Sequence, residues 1–172
     1  ELLDAAEDGD TALAQRAATA LKGLNLPAQG DVLHRVALKT SARENVRTAA
    51  LRALPPAAPA TTDTLITVLA AGGTNSLRRT AAELLGTAEA DPATRAALVA
   101  AIPGASADLV LALAAALAKS DAGADALLDL AAAGRVKPSL LRHRHLERAF
   151  AARPEALRDR VAALTRGLPP ED

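Results

Sequence analysis

The sequence predicts an all-α protein built as an α-solenoid, a row of about five antiparallel helix pairs stacked on one another. Alanine and leucine, both strong helix formers, make up about two-fifths of the chain. The tetrapeptide RTAA occurs at 47–50 and again at 79–82, each time within a leucine-bearing helical pattern. The two copies are 32 residues apart. A period in the thirties with two helices per unit is typical of helical repeat arrays, in which each unit buries its apolar face against its neighbours.

Helix start and stop signals recur at similar spacing along the chain. The sequence SARE at 41–44 has the form of a capping box, and Pro55-Pro56 ends the helix that it opens. Thr61 or Thr62 is expected to cap the next helix. Asn75 or Ser76 is expected to cap a helix that carries Leu77, Ala81, Leu84 and Leu85. The other expected helices run from Asp10 or Thr11 to Lys22, over 29–39, 92–102, 107–118, 123–133 and 138–151, and onward from Pro154.

We expect residues 1–172 to form a single repeat domain. The segment PPAAPA at 55–60 is the most linker-like and marks a candidate internal joint. The chain has no methionine, and Glu1-Leu2-Leu3-Asp4 reads as though it begins inside a helix, so we expect a piece excised from a longer protein. Apolar stretches are short and interrupted by Gly, Pro or charge, which predicts no membrane span.

Candidate reaction chemistry is sparse in this sequence. Without cysteine there are no disulfides, thiolate metal sites or thiol nucleophiles. His143, His145 and Glu147 form the one cluster of metal-ligand types, and His143 and Glu147 are spaced to share a helix face. No properly spaced third ligand follows, so an exposed basic helix surface is the favoured interpretation. The glycine loop at 71–76 lacks the spacing of a nucleotide-binding loop. We therefore expect no enzyme activity, no metal and no cofactor in this chain.

Charge is unevenly distributed although the formal net charge is zero. Between Arg135 and Arg166 there are nine Lys/Arg and three Asp/Glu, whereas residues 1–31 carry six Asp/Glu and two Lys/Arg. A basic end of this kind suits an acidic protein surface, nucleic acid or anionic lipid. The lack of stacking aromatics disfavours nucleic acid. The candidate basic interaction surface consists of Arg142, Arg144, Arg148, Arg153, Arg158 and Arg160.

Two segments resemble HEAT or armadillo-type repeats. They are NVRTAALRAL at 45–54 and LRRTAAELLG at 77–86. In HEAT-like repeats an arginine early in the second helix often bonds between units, and Arg47, Arg79 and Arg158 are at such positions. A solvent-facing arginine on a strong helix former is the equally open alternative for each of them.

The C-terminal third carries a more specific resemblance. The segments LLDLAAAGRVKPSLL at 127–141 and LRDRVAALTRGLPPED at 157–172 resemble part of large exported bacterial proteins, a family of membrane-bound dehydrogenase-like, haem-binding proteins. In that family a dehydrogenase-like β-propeller precedes a HEAT-like stretch, and a c-type haem domain with a C-x-x-C-H motif follows it. Our sequence contains no such motif, so haem c would belong to a neighbouring domain.

The resemblance implies a non-catalytic linker and interaction module in an exported or periplasmic redox protein, with flanking domains of the same chain as its partners. A cytosolic HEAT-like module that binds nucleic acid or protein is the alternative.

Overall fold

The computed structural model describes residues 27–56, 58–71, 73–87 and 91–168. These residues form nine α-helices and one 3-10 helix and contain no strand, which confirms the all-α prediction. The helix expected over 10–22 lies outside them. The helices are α1 Pro27–Leu38, α2 Glu44–Ala53, α3 Pro59–Ala71, α4 Asn75–Leu85, α5 Pro92–Ala100, α6 Ala107–Leu117, α7 Asp121–Ala132, the 3-10 helix Pro138–Arg142, α8 Arg144–Ala151 and α9 Glu155–Leu164.

The chain divides into two compact units, Glu1–Leu84 and Leu85–Asp172. In the first unit α1 packs against α2 and α3. In the second, the principal contacts join helices that are adjacent in order or one helix apart: α5 with α6 and α7, α6 with α7 and α8, and α9 with α7 and α8. The joint expected at 55–60 lies within the first unit.

The odd-numbered helices α3, α5 and α7 share one burial register. In each, four buried residues are spaced i, i+4, i+7 and i+8, the spacing of a single helix face. The last two of these four residues lie in the final turn of α3 and α7 and directly after the end of α5. These residues are Thr61, Leu65, Val68 and Leu69, then Thr94, Leu98, Ala101 and Ile102, then Gly123, Leu127, Leu130 and Ala131.

The even-numbered helices α2, α4 and α6 share a second register. Their buried residues are spaced i, i+4, i+5 and i+8, and the middle positions are mostly alanine. Small side chains there allow helix axes to approach closely. The residues are Val46, Ala50, Leu51 and Leu54, then Leu77, Ala81, Ala82 and Leu85, then Leu109, Leu113, Ala114 and Leu117. In this register Arg78, not Arg79, occupies the position of Arg47.

Three expected helix caps are wrong. α4 begins at Asn75, so the two residues expected to cap it lie inside the helix. At α2 the capping box does not form, because a turn in which Ala42 donates to the Lys39 carbonyl delays the helix until Glu44. Arg43 then precedes the helix without a side-chain capping bond. At α3 the helix begins at Pro59, whose fixed φ suits a first helical position. Thr61 is consequently a buried residue of the first turn instead of a cap.

The helix expected over 138–151 is broken in two. The 3-10 helix ends at Arg142, and His143 adopts an extended conformation with φ −65° and ψ 133° before α8 begins.

α7 begins at Asp121, earlier than expected, because the Ser120 hydroxyl accepts a hydrogen bond from Gly123 N at 3.1 Å. Asp91 and Pro92 begin α5 as predicted.

Candidate functional site

Two arginines of the candidate basic surface bind aspartates of α7. Asp121, Asp125 and Asp129 are four residues apart and form what we call the acidic edge of α7. Arg153 Nη1 lies 3.0 Å from Asp121 Oδ1. Arg160 donates through Nη1 to Asp125 and through Nη2 to Asp129, the latter at 2.7 Å. The hydrogen bond to Asp129, with the charges of both aspartates, raises the pKa of Arg160 above its usual range.

A third arginine of that surface has a partner close by in sequence. Arg142 Nε lies 3.3 Å from Glu147 Oε1. The Nε atom is buried and forms no aligned hydrogen bond, so the contact is an ion pair without hydrogen-bond geometry. The positive charge of Arg142 is thus compensated within the protein.

The remaining three arginines extend into solvent. Arg144 and Arg148 lie one turn apart on α8, and Arg158 lies on α9. All three are exposed. The six predicted residues therefore divide into an internally paired group and an exposed group, which we call the exposed arginines: Arg144, Arg148 and Arg158.

The histidine cluster lies at the start of α8. The rings of His143 and His145 stack with centroids 5.2 Å apart. His143 Nδ1 accepts a hydrogen bond of 3.3 Å from the backbone N–H of His145 and so caps the helix. Glu147 faces Arg142. In the described ranges no group of three or more His, Cys, Asp or Glu residues could hold a metal ion.

His34 links two helices of the first unit. Its Nδ1 lies 2.7 Å from the Thr64 hydroxyl, and the two residues belong to α1 and α3. The ring is half-buried. The bond therefore connects α1 to α3, two successive odd-numbered helices.

The second unit contains an open cleft of about 310 Å³ between α5, the end of α6 and the start of α7. Leu98, Leu117 and Gly123 form part of its floor, and Arg95 and Lys119 bring positive charge to it. Thr94 also lines it, but its hydroxyl donates to Asp91 at 2.8 Å. Among the described residues, those that line this cleft include no carboxylate, imidazole or thiol, the groups that act as general bases.

Sequence reasoning missed two kinds of contact. One is the pair of bonds from Arg47 to the Ala37 carbonyl, which is buried, and from Arg78 to the Leu69 carbonyl, which is partly buried. The other is the acidic edge of α7. Its signal was present in the sequence, since three aspartates recur every four residues from 121 to 129.

No α-helix in the part of the chain that the structure describes is long and apolar enough to cross a membrane. No protein-family model, curated protein or solved structure matches this chain.

Proposed function

We propose that this chain is a HEAT-like α-solenoid that acts as a non-catalytic scaffold and holds protein partners at a set spacing. The observation that carries the proposal is the pair of burial registers, one shared by α3, α5 and α7 and the other by α2, α4 and α6. Identical registers let each helix pair present the same apolar face to the next pair, as repeat arrays require. Contacts between helices one or two positions apart also suit a row of stacked pairs.

Stiffness within a pair supports a role as a spacer. Arg47 ties the start of α2 to the end of α1, and Arg78 ties the start of α4 to the end of α3. A charge-assisted bond, buried at Arg47 and partly buried at Arg78, resists bending of the pair at its connection. A spacer has to keep such connections rigid if it is to fix a distance.

The side chains best suited to chemistry have structural partners. His143 caps α8, His34 binds Thr64, and Asp91 caps α5. These contacts support the non-catalytic part of the proposal, because a catalytic acid or base has to be oriented toward a substrate.

A protein partner fits the charges better than nucleic acid does. Arg142, Arg153 and Arg160 are neutralised by carboxylates of the same chain. The exposed arginines supply few phosphate contacts, and Phe150, the one aromatic residue, is buried. Retention of the protein on immobilised duplex DNA at low salt, weakening as salt rises, would favour the cytosolic nucleic-acid-binding alternative instead.

The segments 127–141 and 157–172 supply the proposed context. Their resemblance to exported dehydrogenase-like haem-binding proteins supports a linker between a β-propeller and a c-type haem domain. The gene sequence downstream of the codon for Asp172 tests this. A C-x-x-C-H motif soon after that codon supports the context, and a stop codon in its place contradicts it.

Small-angle X-ray scattering of dilute protein tests the solenoid. A compact globule of this length has a radius of gyration of about 16 Å. We expect a clearly larger value and an asymmetric distribution of interatomic distances. A value near that of a globule, with a symmetric distribution, would contradict the proposal.

A further inference from the structure

The open cleft of the second unit has an apolar floor that the packing of the helices holds in place. Leu85, Leu98, Ala116 and Leu117 line it, and each of them is at most 5% exposed. Leu98 belongs to α5, whereas Ala116 and Leu117 are the last two residues of α6, and these two helices pack against each other. The floor is therefore part of the core and offers a ligand a preformed apolar surface.

Two cations border this floor. Arg95 lies one turn before Leu98 on α5 and is half-buried, and Lys119 lies two residues after Leu117 and is exposed. Neither side chain forms an ion pair or a hydrogen bond with any residue in the described part of the chain. We call Arg95 and Lys119 the rim cations.

The described carboxylates closest in sequence to the rim cations have other partners. Asp91 accepts both hydrogen bonds from Thr94. Asp121 lies 3.0 Å from Arg153. The charge of the rim cations is therefore not compensated by these carboxylates and favours an anionic ligand.

The chemistry of the cleft restricts which anion fits. A guanidinium and an ammonium can donate together to the two oxygens of one carboxylate. The first turn of α7 also lines the cleft through Ser120 and Gly123, and its partial positive charge favours an anion as well. The apolar floor, in contrast, does not replace the hydration of a small inorganic anion such as phosphate. A carboxylate that carries an apolar tail satisfies both parts of the cleft.

The size of the cleft limits the length of that tail. Its volume is about 310 Å³. Liquid water occupies about 30 Å³ per molecule, so the cleft accommodates a ligand of about ten non-hydrogen atoms. Octanoate, an eight-carbon carboxylate, has this size.

We propose that the cleft binds a small organic carboxylate with an alkyl tail of medium length. The carboxylate lies between Arg95 and Lys119, and the tail lies on Leu98 and Leu117. This binding requires only the second unit, so it does not depend on whether the helix pairs form an extended row. A globule-like radius of gyration would contradict the solenoid and leave this proposal standing.

Titration of the full chain with octanoate at pH 7 and low salt, followed by ¹H–¹⁵N NMR spectroscopy, tests the proposal. We expect saturable shifts of the Leu98, Leu117 and Lys119 amide signals, with a Kd of about 1 mM. Octanamide has the same size without the charge and should bind about tenfold more weakly. From hexanoate to octanoate each methylene should strengthen binding about twofold, because an open cleft covers about half of it. Acetate, which lacks the tail, should bind weakest.

Variants of the rim cations locate the carboxylate. Arg95→Gln combined with Lys119→Gln should weaken octanoate binding about tenfold or more. Lys119→Gln alone changes an exposed side chain and should weaken it about threefold. The matched control is Arg135→Gln combined with Lys137→Gln, which removes the same two charges from exposed positions that do not line the cleft. Its affinity for octanoate should equal that of the wild type.

The absence of saturable shifts with octanoate far above the expected Kd overturns the proposal. Equal affinity for octanamide does so too, because the rim cations would then play no part. Equal affinity for acetate or inorganic phosphate would indicate an adventitious ion only. Shifts confined to residues outside the cleft, or unchanged binding in both rim-cation variants, would show that octanoate binds elsewhere.

Discussion

The Nε of Arg47 donates a hydrogen bond of 2.8 Å to the carbonyl oxygen of Ala37, near the end of the preceding helix. Arg78 makes the matching bond to the Leu69 carbonyl at 3.0 Å. Ala37 and Leu69 occupy the same position in α1 and α3, and both are among the last four residues of their helices. Carbonyls there lack intrahelical partners, and a cation stabilises that end of a helix. Each arginine therefore caps the first helix of its own pair.

Replacing Arg47 by alanine should lower the free energy of unfolding by about 2 kcal/mol, because a buried bond from a charged donor is lost. The side chain is 7% exposed, so its packed stem is lost as well. Chemical denaturation followed by circular dichroism measures the change. Arg79→Ala is the matched control, since Arg79 is exposed and pairs only with Glu83 at 3.7 Å. We expect about 0.5 kcal/mol or less there. Equal losses from both changes would contradict the capping role.

The sequence predicted the helices but not which residues of successive helices correspond. Aligning the two copies of RTAA pairs Arg47 with Arg79. The identical residues are visible in the sequence, whereas the buried positions are known only from the structure. In the structure, the connection 72–74 is two residues shorter than 39–43, and α3 is one residue longer than α1. As a result, α4 begins one residue sooner after the start of α3 than α2 does after the start of α1. Arg78, which is half-buried, therefore takes the position of Arg47. A change in loop length is invisible until the helix ends are known.

The paired arginines could not be assigned from sequence for a different reason. Arg160 binds Asp125 and Asp129, which lie 35 and 31 residues earlier in the chain than Arg160. These separations are about the length of one predicted repeat. Charge counting along the chain treats such an arginine as available to a partner. Whether it is depends on which helices become neighbours, and that is a property of the packing.

The contact between Arg160 and the acidic edge of α7 should contribute modestly and depend on salt. A double-mutant cycle of Arg160→Ala and Asp129→Asn should give a coupling free energy of about 0.5–1 kcal/mol at low ionic strength. Both side chains are more than a third exposed, so about 1 M salt should remove most of the coupling. A coupling that does not change with salt would show that the pair is effectively buried.

Gly123 should not tolerate even a methyl group. A Cβ there would lie 2.2 Å from the Leu117 carbonyl oxygen and 2.9 Å from the Ser120 hydroxyl, so the start of α7 would have to move away from α6. We expect Gly123→Ala to cost about 1–3 kcal/mol in unfolding free energy.

Gly30→Ala is the matched control for Gly123, because a Cβ there meets nothing within 4 Å. In the interior of α1 the same substitution should stabilise the protein by about 0.5–1 kcal/mol. Thermal unfolding of the two variants should therefore shift in opposite directions. Shifts of the same sign would contradict the close approach at Gly123.

The cap of α5 predicts a dependence of stability on pH. Asp91 accepts hydrogen bonds from Thr94 N at 2.9 Å and from the Thr94 hydroxyl at 2.8 Å. The backbone bond first, and the hydroxyl bond second, hold the pKa of Asp91 below its ordinary 3.8. Because the folded pKa is the lower one, the carboxylate's contribution is complete above about pH 4. It is lost as pH falls through the folded value.

Asp91→Ala should therefore destabilise the protein by about 1 kcal/mol at pH 7, and the difference from the wild type should shrink below pH 4. Asp91→Asn keeps an acceptor oxygen without a charge, so its smaller loss should change little with pH. Unfolding free energies measured across pH 2–7 test both. A deficit of Asp91→Ala that grows in acid would contradict the assignment.

The same cap is missing at α3, although the first turn of the helix is repeated there. PAT occurs at 59–61 and at 92–94, so Ala58 takes the place of Asp91 and Thr61 the place of Thr94. Ala58 already accepts a backbone bond of 2.9 Å from Thr61 N. The Thr61 hydroxyl is buried and has no hydrogen-bond partner among the described residues. An unsatisfied hydroxyl of this kind costs about 1–3 kcal/mol.

Ala58→Asp should add a carboxylate that accepts from the unpartnered Thr61 hydroxyl and caps the first turn, and it should raise the unfolding free energy by about 1–2 kcal/mol, measured by chemical denaturation at pH 7. Thr61→Val removes the hydroxyl and keeps the shape, so it separates the two contributions. In that background Ala58→Asp should keep only the gain from the backbone cap. An equal gain with and without the hydroxyl would show that Thr61 is already satisfied in solution. Destabilisation by Ala58→Asp would show that α3 and α5 do not share a common first turn.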